Sequence, residues 1–162
     1  MKTLLLVRHA KSDWNDATLS DFDRPLNDRG KKDAPLMAQR LRDKKIVIDA
    51  FISSPAKRAR KTAIIFANNY MREKEEIIFK PELYEADPKT FFNVISAVDD
   101  RYQNIAVFSH NFGLTEFANQ LTDTRIDNIP TCGIFALKID CKKWKDFKTA
   151  GKTFWFFDYP KA

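Results

Sequence analysis

The sequence predicts an α/β domain, a three-layer α/β/α sandwich around a mostly parallel central sheet. Short aliphatic runs, Leu4–Val7 and Ile105–Phe108 foremost, lack polar alternation, the mark of strands buried on both faces. Between such runs lie segments whose apolar residues recur at helical spacing, so strands and helices alternate along the chain as a parallel sheet requires. The length of 162 residues suits one domain, residues 1–162, with no boundary, repeat or low-complexity tract inside it.

Leu4–Val7 is too short for a core helix and reads as the first strand, ending abruptly at Arg8-His9. Ser12 to Gly30, rich in Asp, Asn and Pro, reads as a loop. It is long for a connection, and long ordered loops in compact domains tend to be functional lids or rims. From Lys31 to about Lys44 a helix is expected, with Ala34, Met37, Ala38 and Leu41 on its core face and Pro35 in its first turn. Asp49–Ser53 reads as the second strand. Ser54-Pro55 signals the next helix, with Ser54 as hydroxyl cap rather than nucleophile.

That helix carries an apolar stripe of Ala59, Ala63, Phe66, Ala67 and Tyr70, and Arg58 near an amino end that favours phosphate. Ile77–Phe79 is a short strand. It is followed by an acidic segment from Pro81 to Pro88 and a helix marked by Phe91, Val94, Ile95 and Val98. Ile105–Phe108 repeats the opening design, ending at Ser109-His110-Asn111 before a helix through Leu114, Phe117, Ala118 and Leu121. Gly133–Ile139 and Thr153–Asp158 complete the chain as a terminal hairpin.

A hydrophobic content of 44% with 31% charged residues argues against disorder. No apolar stretch approaches the ~20 residues that span a bilayer, and Leu4–Val7 is short for a signal peptide, so a cytoplasmic protein without membrane contact is expected. Cys132 and Cys141 are too few for a disulfide framework, have no zinc spacing, and read as free thiols. The net charge of +6 favours acidic partners, but the basic residues lack the interleaved aromatics of a nucleic-acid motif, and no nucleic-acid partner is expected.

The chain has two histidines, and both directly follow an aliphatic strand at a strand-to-helix transition, where open α/β sheets put their ligands. One such histidine would read as structural. Two of them, with Arg8 and Arg58 at equivalent strand ends, point to phosphoryl transfer. A neutral imidazole is a competent nucleophile near pH 7, and arginine forks hold phosphoryl oxygens. There is no HExxH, P-loop or GxGxxG, so neither a metal nor a cofactor is expected.

Arg8-His9-Ala10-Lys11-Ser12, Ser54-Pro55-Ala56-Lys57-Arg58 with Thr62, and Ser109-His110-Asn111 together resemble the histidine phosphatase superfamily, the phosphoglycerate mutase-like fold. The small size, the Asp23–Gly30 segment and the lack of a large cap insertion resemble its SixA-type phosphohistidine phosphatases. The resemblance covers Lys2 to Gly113 by motif and the remainder by length. It implies that His9 accepts the phosphoryl group and that Arg8, Arg58 and His110 form the phosphate pocket. The family's longer motif, Arg-His-Gly-x-Ser-x-x-Asn, adds Asn15 and Ser12 as phosphate contacts. Ala10 departs from its glycine, a change compatible with a negative φ. Thr62 reads as helix packing, and Trp14 as either a rim of the site or a cover for the sheet end.

Leu83-Tyr84-Glu85 fits the family's general-acid context, with Glu82 as the neighbouring alternative, or none, since SixA-type enzymes lack a firm equivalent. The resemblance thus implies a metal-independent phosphatase working through a phosphohistidine intermediate. Its substrate is a phosphorylated protein such as a phosphohistidine domain, or alternatively a small phosphate ester. The rival class is a non-catalytic phosphate-binding module using the same basic pocket.

Overall fold

The computed structural model describes residues 1–161. Four strands run parallel: β1 (Lys2–Arg8), β2 (Ala50–Ser53), β3 (Ile78–Phe79) and β4 (Asn104–Ser109). β5 (Ile134–Asp140) and β6 (Gly151–Asp158) form the terminal antiparallel hairpin, with β5 paired against β1. The resulting single sheet has the order β3-β2-β4-β1-β5-β6. Its helices are α1 (Asp28–Asp43), α2 (Lys57–Asn69), α3 (Pro88–Ser96) and α4 (Gly113–Leu121).

The absence of alternation in β1 has its reason in the two faces of this sheet. Leu4 and Leu6 join one core with Phe91, Val94 and Ile95 of α3, Leu114, Phe117 and Ala118 of α4, and the rings of Trp144 and Phe147. Leu5 and Val7 join the other with Ala34, Met37, Ala38 and Leu41 of α1 and Ala63, Phe66 and Ala67 of α2. A strand covered on both sides must be apolar at every position, and each such side chain contributes about 1.5–3 kcal/mol by leaving water. The three-layer expectation is met. Among the described residues no helix is long and apolar enough to cross a membrane.

Helix starts depart from the sequence reading in two places. α1 begins at Asp28, three residues before Lys31, because the Asn27 side chain caps it by accepting from the amide of Gly30 at 2.8 Å. Pro35 therefore lies inside the helix, where its missing N–H leaves the carbonyl of exposed Lys31 to solvent. α2 is not capped by Ser54: its N-cap is Ala56, with no side-chain bond, and Ser54 lies in the turn before it. α3 carries the expected Phe91, Val94 and Ile95 but ends at Ser96, so Val98 packs on the core from beyond it; its start is capped by Asp87, which accepts from the amide of Thr90, with Pro88 at the first helical position.

Two glycines hold the loops around the sheet's carboxyl end in close contact. A Cβ at Gly30 would come within 2.2 Å of the Lys11 carbonyl oxygen, and one at Gly113 within 1.9 Å of that of Ala86. The chain after β1 thus presses on α1, and the segment that carries Tyr84 and Glu85 presses on the start of α4. Ala10 is fully buried, and it is not among the residues with positive φ, so its methyl group imposes no backbone strain.

Candidate active site

β1 and β4 pair in parallel with Arg8 opposite Ser109, so the next residue on each strand is a histidine. The imidazoles of His9 and His110 stand with centroids 5.3 Å apart, both almost completely buried. They share a cleft of about 410 Å³ with Arg8, Lys11, Ser12, Trp14, Asp21, Arg24, Arg58, Tyr84, Glu85, Asn111 and Thr131.

The backbone holds His9 from both sides: its amide donates to Ser109 and its carbonyl accepts from the amide of Cys132, at 3.1 and 2.9 Å. Its Nδ1 lies 2.8 Å from the Ala10 carbonyl oxygen. A carbonyl only accepts, so Nδ1 carries the proton and Nε2 presents a lone pair. That lone pair receives Nε–H of Arg58 at 3.4 Å. Thr62, one turn beyond Arg58 on α2, donates to the Arg58 carbonyl at 2.7 Å and accepts from the Ala10 amide at 3.0 Å. This tie fixes the helix to the loop, a role that packing alone does not describe.

The outer nitrogens of Arg58 are held by Asp21, to whose carbonyl Nη1 donates at 2.6 Å and to whose Oδ2 Nη2 donates at 3.1 Å. The same Oδ2 accepts from the Tyr84 hydroxyl at 2.6 Å, and Oδ1 pairs with Arg24 at 2.8 Å. Arg24 also stacks on Trp14, 3.4 Å from the ring centroid, and donates to Ser12 at 3.3 Å. Arg8 donates to the Ile129 carbonyl at 2.9 Å. His110 Nε2 is hydrogen-bonded to the Ser54 hydroxyl at 2.7 Å, and the same hydroxyl accepts from the Ala56 amide at 3.2 Å. Two buried nitrogens of the cleft, Arg8 Nε and His110 Nδ1, have no hydrogen-bond partner.

Burial, reinforced by the charges of Arg58, Arg8 and Arg24, lowers His9 to about 3 despite its bond to Ala10. Burial lowers His110 to about 3 as well, with His9 and Arg58 adding to it. Burial and then Arg58 lower Arg8. Asp21 moves the other way: burial raises it, but the hydrogen bond from Tyr84 and the charge and bonds of Arg58 outweigh burial and hold it at about 2. Tyr84, donating to that carboxylate, is raised to about 12. The cleft is therefore a cationic pocket with neutral imidazoles, in which an anion relieves repulsion among the guanidinium groups.

Of the residues expected from sequence, the structure brings Arg8, His9, Ser12, Arg58, Glu85 and His110 into one cleft. Glu85 is exposed and held at φ 58°, while Glu82 lies outside the lining. Asn15 is also exposed and does not line the cleft. Trp14 rims the site rather than covering the sheet end. Asp21, Arg24 and Tyr84 carry contacts the sequence reading did not assign. The only signal for them is their place within or beside segments already read as a functional loop. Among the described residues no three His, Cys, Asp or Glu side chains form a group that could hold a metal ion.

The family model for the histidine phosphatase superfamily (branch 1) matches residues 4–93. An uncharacterized chloroplastic protein of Arabidopsis thaliana is 30% identical over 165 residues, spanning 95% of this chain and 74% of that protein. Phosphoserine phosphatase 1 of Hydrogenobacter thermophilus is 38% identical over 89 residues, 54% of this chain and 40% of that enzyme. Among solved structures, the protein histidine phosphatase SixA complexed with tungstate shares the fold with a TM-score of 0.83 at 22% identity, covering 98% of this chain and 97% of that one.

The lowered imidazoles set a pH dependence. Between their unfolded value of 6.5 and their folded value of about 3, the unfolded chain binds protons that the folded protein does not. Stability contributed by these two groups is therefore present above 6.5 and is lost as pH falls toward 3. In buffer free of oxyanions, NMR should find neither imidazole titrating between about pH 5 and 8. A ring that titrates near its ordinary value would contradict this electrostatic picture.

Proposed function

The chain belongs to the histidine phosphatase superfamily, and from that membership we propose a metal-independent phosphatase that works through a phosphorylated His9. The observation that carries this reading is the 2.8 Å bond from His9 Nδ1 to the Ala10 carbonyl. It fixes the tautomer, so that Nε2 meets the cleft as a lone pair beside Arg58. With His9 lowered to about 3, no proton has to be removed from that nitrogen near neutral pH.

Nε2 forms a bond to phosphorus as the bond to the leaving group breaks and its electron pair departs with that group. Water then attacks the same phosphorus, the pair of the P–N bond returns to Nε2, and the proton of water ends on inorganic phosphate. Arg58 and Arg8 hold phosphoryl oxygens, and the imidazole of His110 completes the pocket. The place of Arg8, Arg58 and His110 together in the lining of one cleft beside His9 supports that assignment. Ser12 acts through Arg24, to which it is bonded.

The substrate class is a phosphohistidine on a protein. The fold likeness to a protein described as a histidine phosphatase supports it, and so does the chemistry. An imidazole can leave already protonated on its other nitrogen, whereas an alkoxide needs an acid. A second reading, a phosphomonoesterase, is favoured by Glu85 lining the cleft and by the partial match to a phosphoserine phosphatase.

Incubation with a 32P-labelled phosphodonor should leave acid-labile, alkali-stable label that His9→Ala abolishes. Label that survives His9→Ala would contradict the mechanism, and tight anion binding without turnover would favour a non-catalytic binding module. Glu85→Gln distinguishes the two substrate readings. It should slow alkyl phosphate hydrolysis by about tenfold or more, in the range of general-acid catalysis, and phosphohistidine hydrolysis by much less. Equal slowing of both, or of neither, would show that Glu85 is not the discriminating acid.

A further inference from the structure

Asp21 lines the cleft and holds Arg58, and its carboxylate is not spent on that contact alone. It stands in a short turn, Asp21–Asp23, within the long loop after β1. Its Oδ2 accepts from Arg58 and Tyr84, and its Oδ1 pairs with Arg24. A carboxylate offers about four acceptor positions, and these contacts use three. The side chain is 46% exposed, so the remaining position is open to a ligand in the cleft. It is one guanidinium away from the nucleophile, since Arg58 turns Nε to His9 and Nη2 to Asp21.

We infer that Asp21 is a specificity-determining residue, whose carboxylate accepts a hydrogen bond from a substrate ring that is cationic while bonded to phosphorus and repels a leaving group that carries its own carboxylate. The inference rests on the phosphatase reading and deepens it toward phosphorylated imidazoles. A phosphorylated imidazole ring becomes cationic when the nitrogen not bonded to phosphorus takes a proton, and an N–H···carboxylate bond favours that form. As Nε2 of His9 bonds to phosphorus, the P–N bond of the substrate breaks and its pair goes to the ring nitrogen. A neutral imidazole departs with its proton still on the far nitrogen, so nothing has to be delivered to the leaving atom. Held at about 2, Asp21 is an acceptor near neutral pH and supplies no proton to an alkoxide. A carboxylated ester instead brings a second anion against a fixed one.

The test compares kcat/KM of the wild type and Asp21→Asn near neutral pH on phosphorylimidazole, p-nitrophenyl phosphate and phosphoglycolate. The nitrophenyl ester is the reference, because its leaving group departs without a proton. In Asp21→Asn the phosphorylimidazole rate relative to that reference should fall by about tenfold or more, the effect of one charge-assisted hydrogen bond. The phosphoglycolate rate relative to the reference should rise, and Asp21→Glu should recover the phosphorylimidazole preference in part. Loss of all three activities by one factor would overturn the inference, leaving Asp21 as a support for Arg58. A second measurement needs no variant: the wild-type preference for phosphorylimidazole should weaken as salt screens the half-exposed carboxylate, and a salt-independent preference would also overturn it. A wild type that hydrolyses none of the three would defeat the phosphatase reading itself, which separates that failure from this one.

Discussion

The parallel pairing of β1 with β4 places Arg8 opposite Ser109, and the two chains leave the sheet side by side with a histidine next on each. A slip of one residue would turn every side chain of β1 to the opposite face. Leu4 and Leu6 would then exchange cores with Leu5 and Val7, and both cores are already filled. The register is therefore held by packing along the whole strand. The imidazole separation is a consequence of core filling. The contacts that refine the site, from Thr62 to the Ala10 amide and from Ser54 to His110, act on side chains this pairing has already brought together.

Electrostatically the cleft is an arrangement of costs that an anion removes. Burial and mutual repulsion lower Arg8 and keep both histidines neutral. Neutrality suits the two rings differently. For His9 it leaves a lone pair on Nε2, whereas the His110 ring is tied through Nε2 to the Ser54 hydroxyl. Asp21 is the counterweight. Its carboxylate binds Arg58, Arg24 and Tyr84 at once and joins the loop after β1 to α2 and to the segment before α3. Without that junction, Arg58 would have no fixed partner for its outer nitrogens.

Much of this was legible because the signals were local. Leu4–Val7 and Ile105–Phe108 announce doubly buried strands by themselves, and a histidine after each places both rings at the sheet's carboxyl end. The helical stripes of α1 and α2 predicted the residues that pack on one face. What escaped the sequence depends on long-range partners or on competition between nearby signals. Asp21 is 37 residues from Arg58 and 63 from Tyr84, and nothing in a loop of many acidic residues marks it out. Ser54-Pro55 has the form of a cap, yet the hydroxyl is drawn to His110, 56 residues away, and the helix starts later at Lys57, with Ala56 as its N-cap. Asn27 outweighed Pro35 in setting the start of α1, since a capping bond compensates at the end for a hydrogen bond lost at an exposed position inside. Asn15 carries a family pattern, but the Asp13 side chain binds its backbone amide and its own side chain stands in solvent.

The central claim, that the two strand ends and α2 form one phosphoryl site around His9, is tested most directly by a crystal structure with orthovanadate, which mimics phosphorus in transfer. The account predicts vanadium bonded to Nε2 of His9, with its oxygens on Arg8, Arg58 and the imidazole of His110. Vanadate bound away from His9, or held in the cleft with Nε2 turned from the metal, would contradict it.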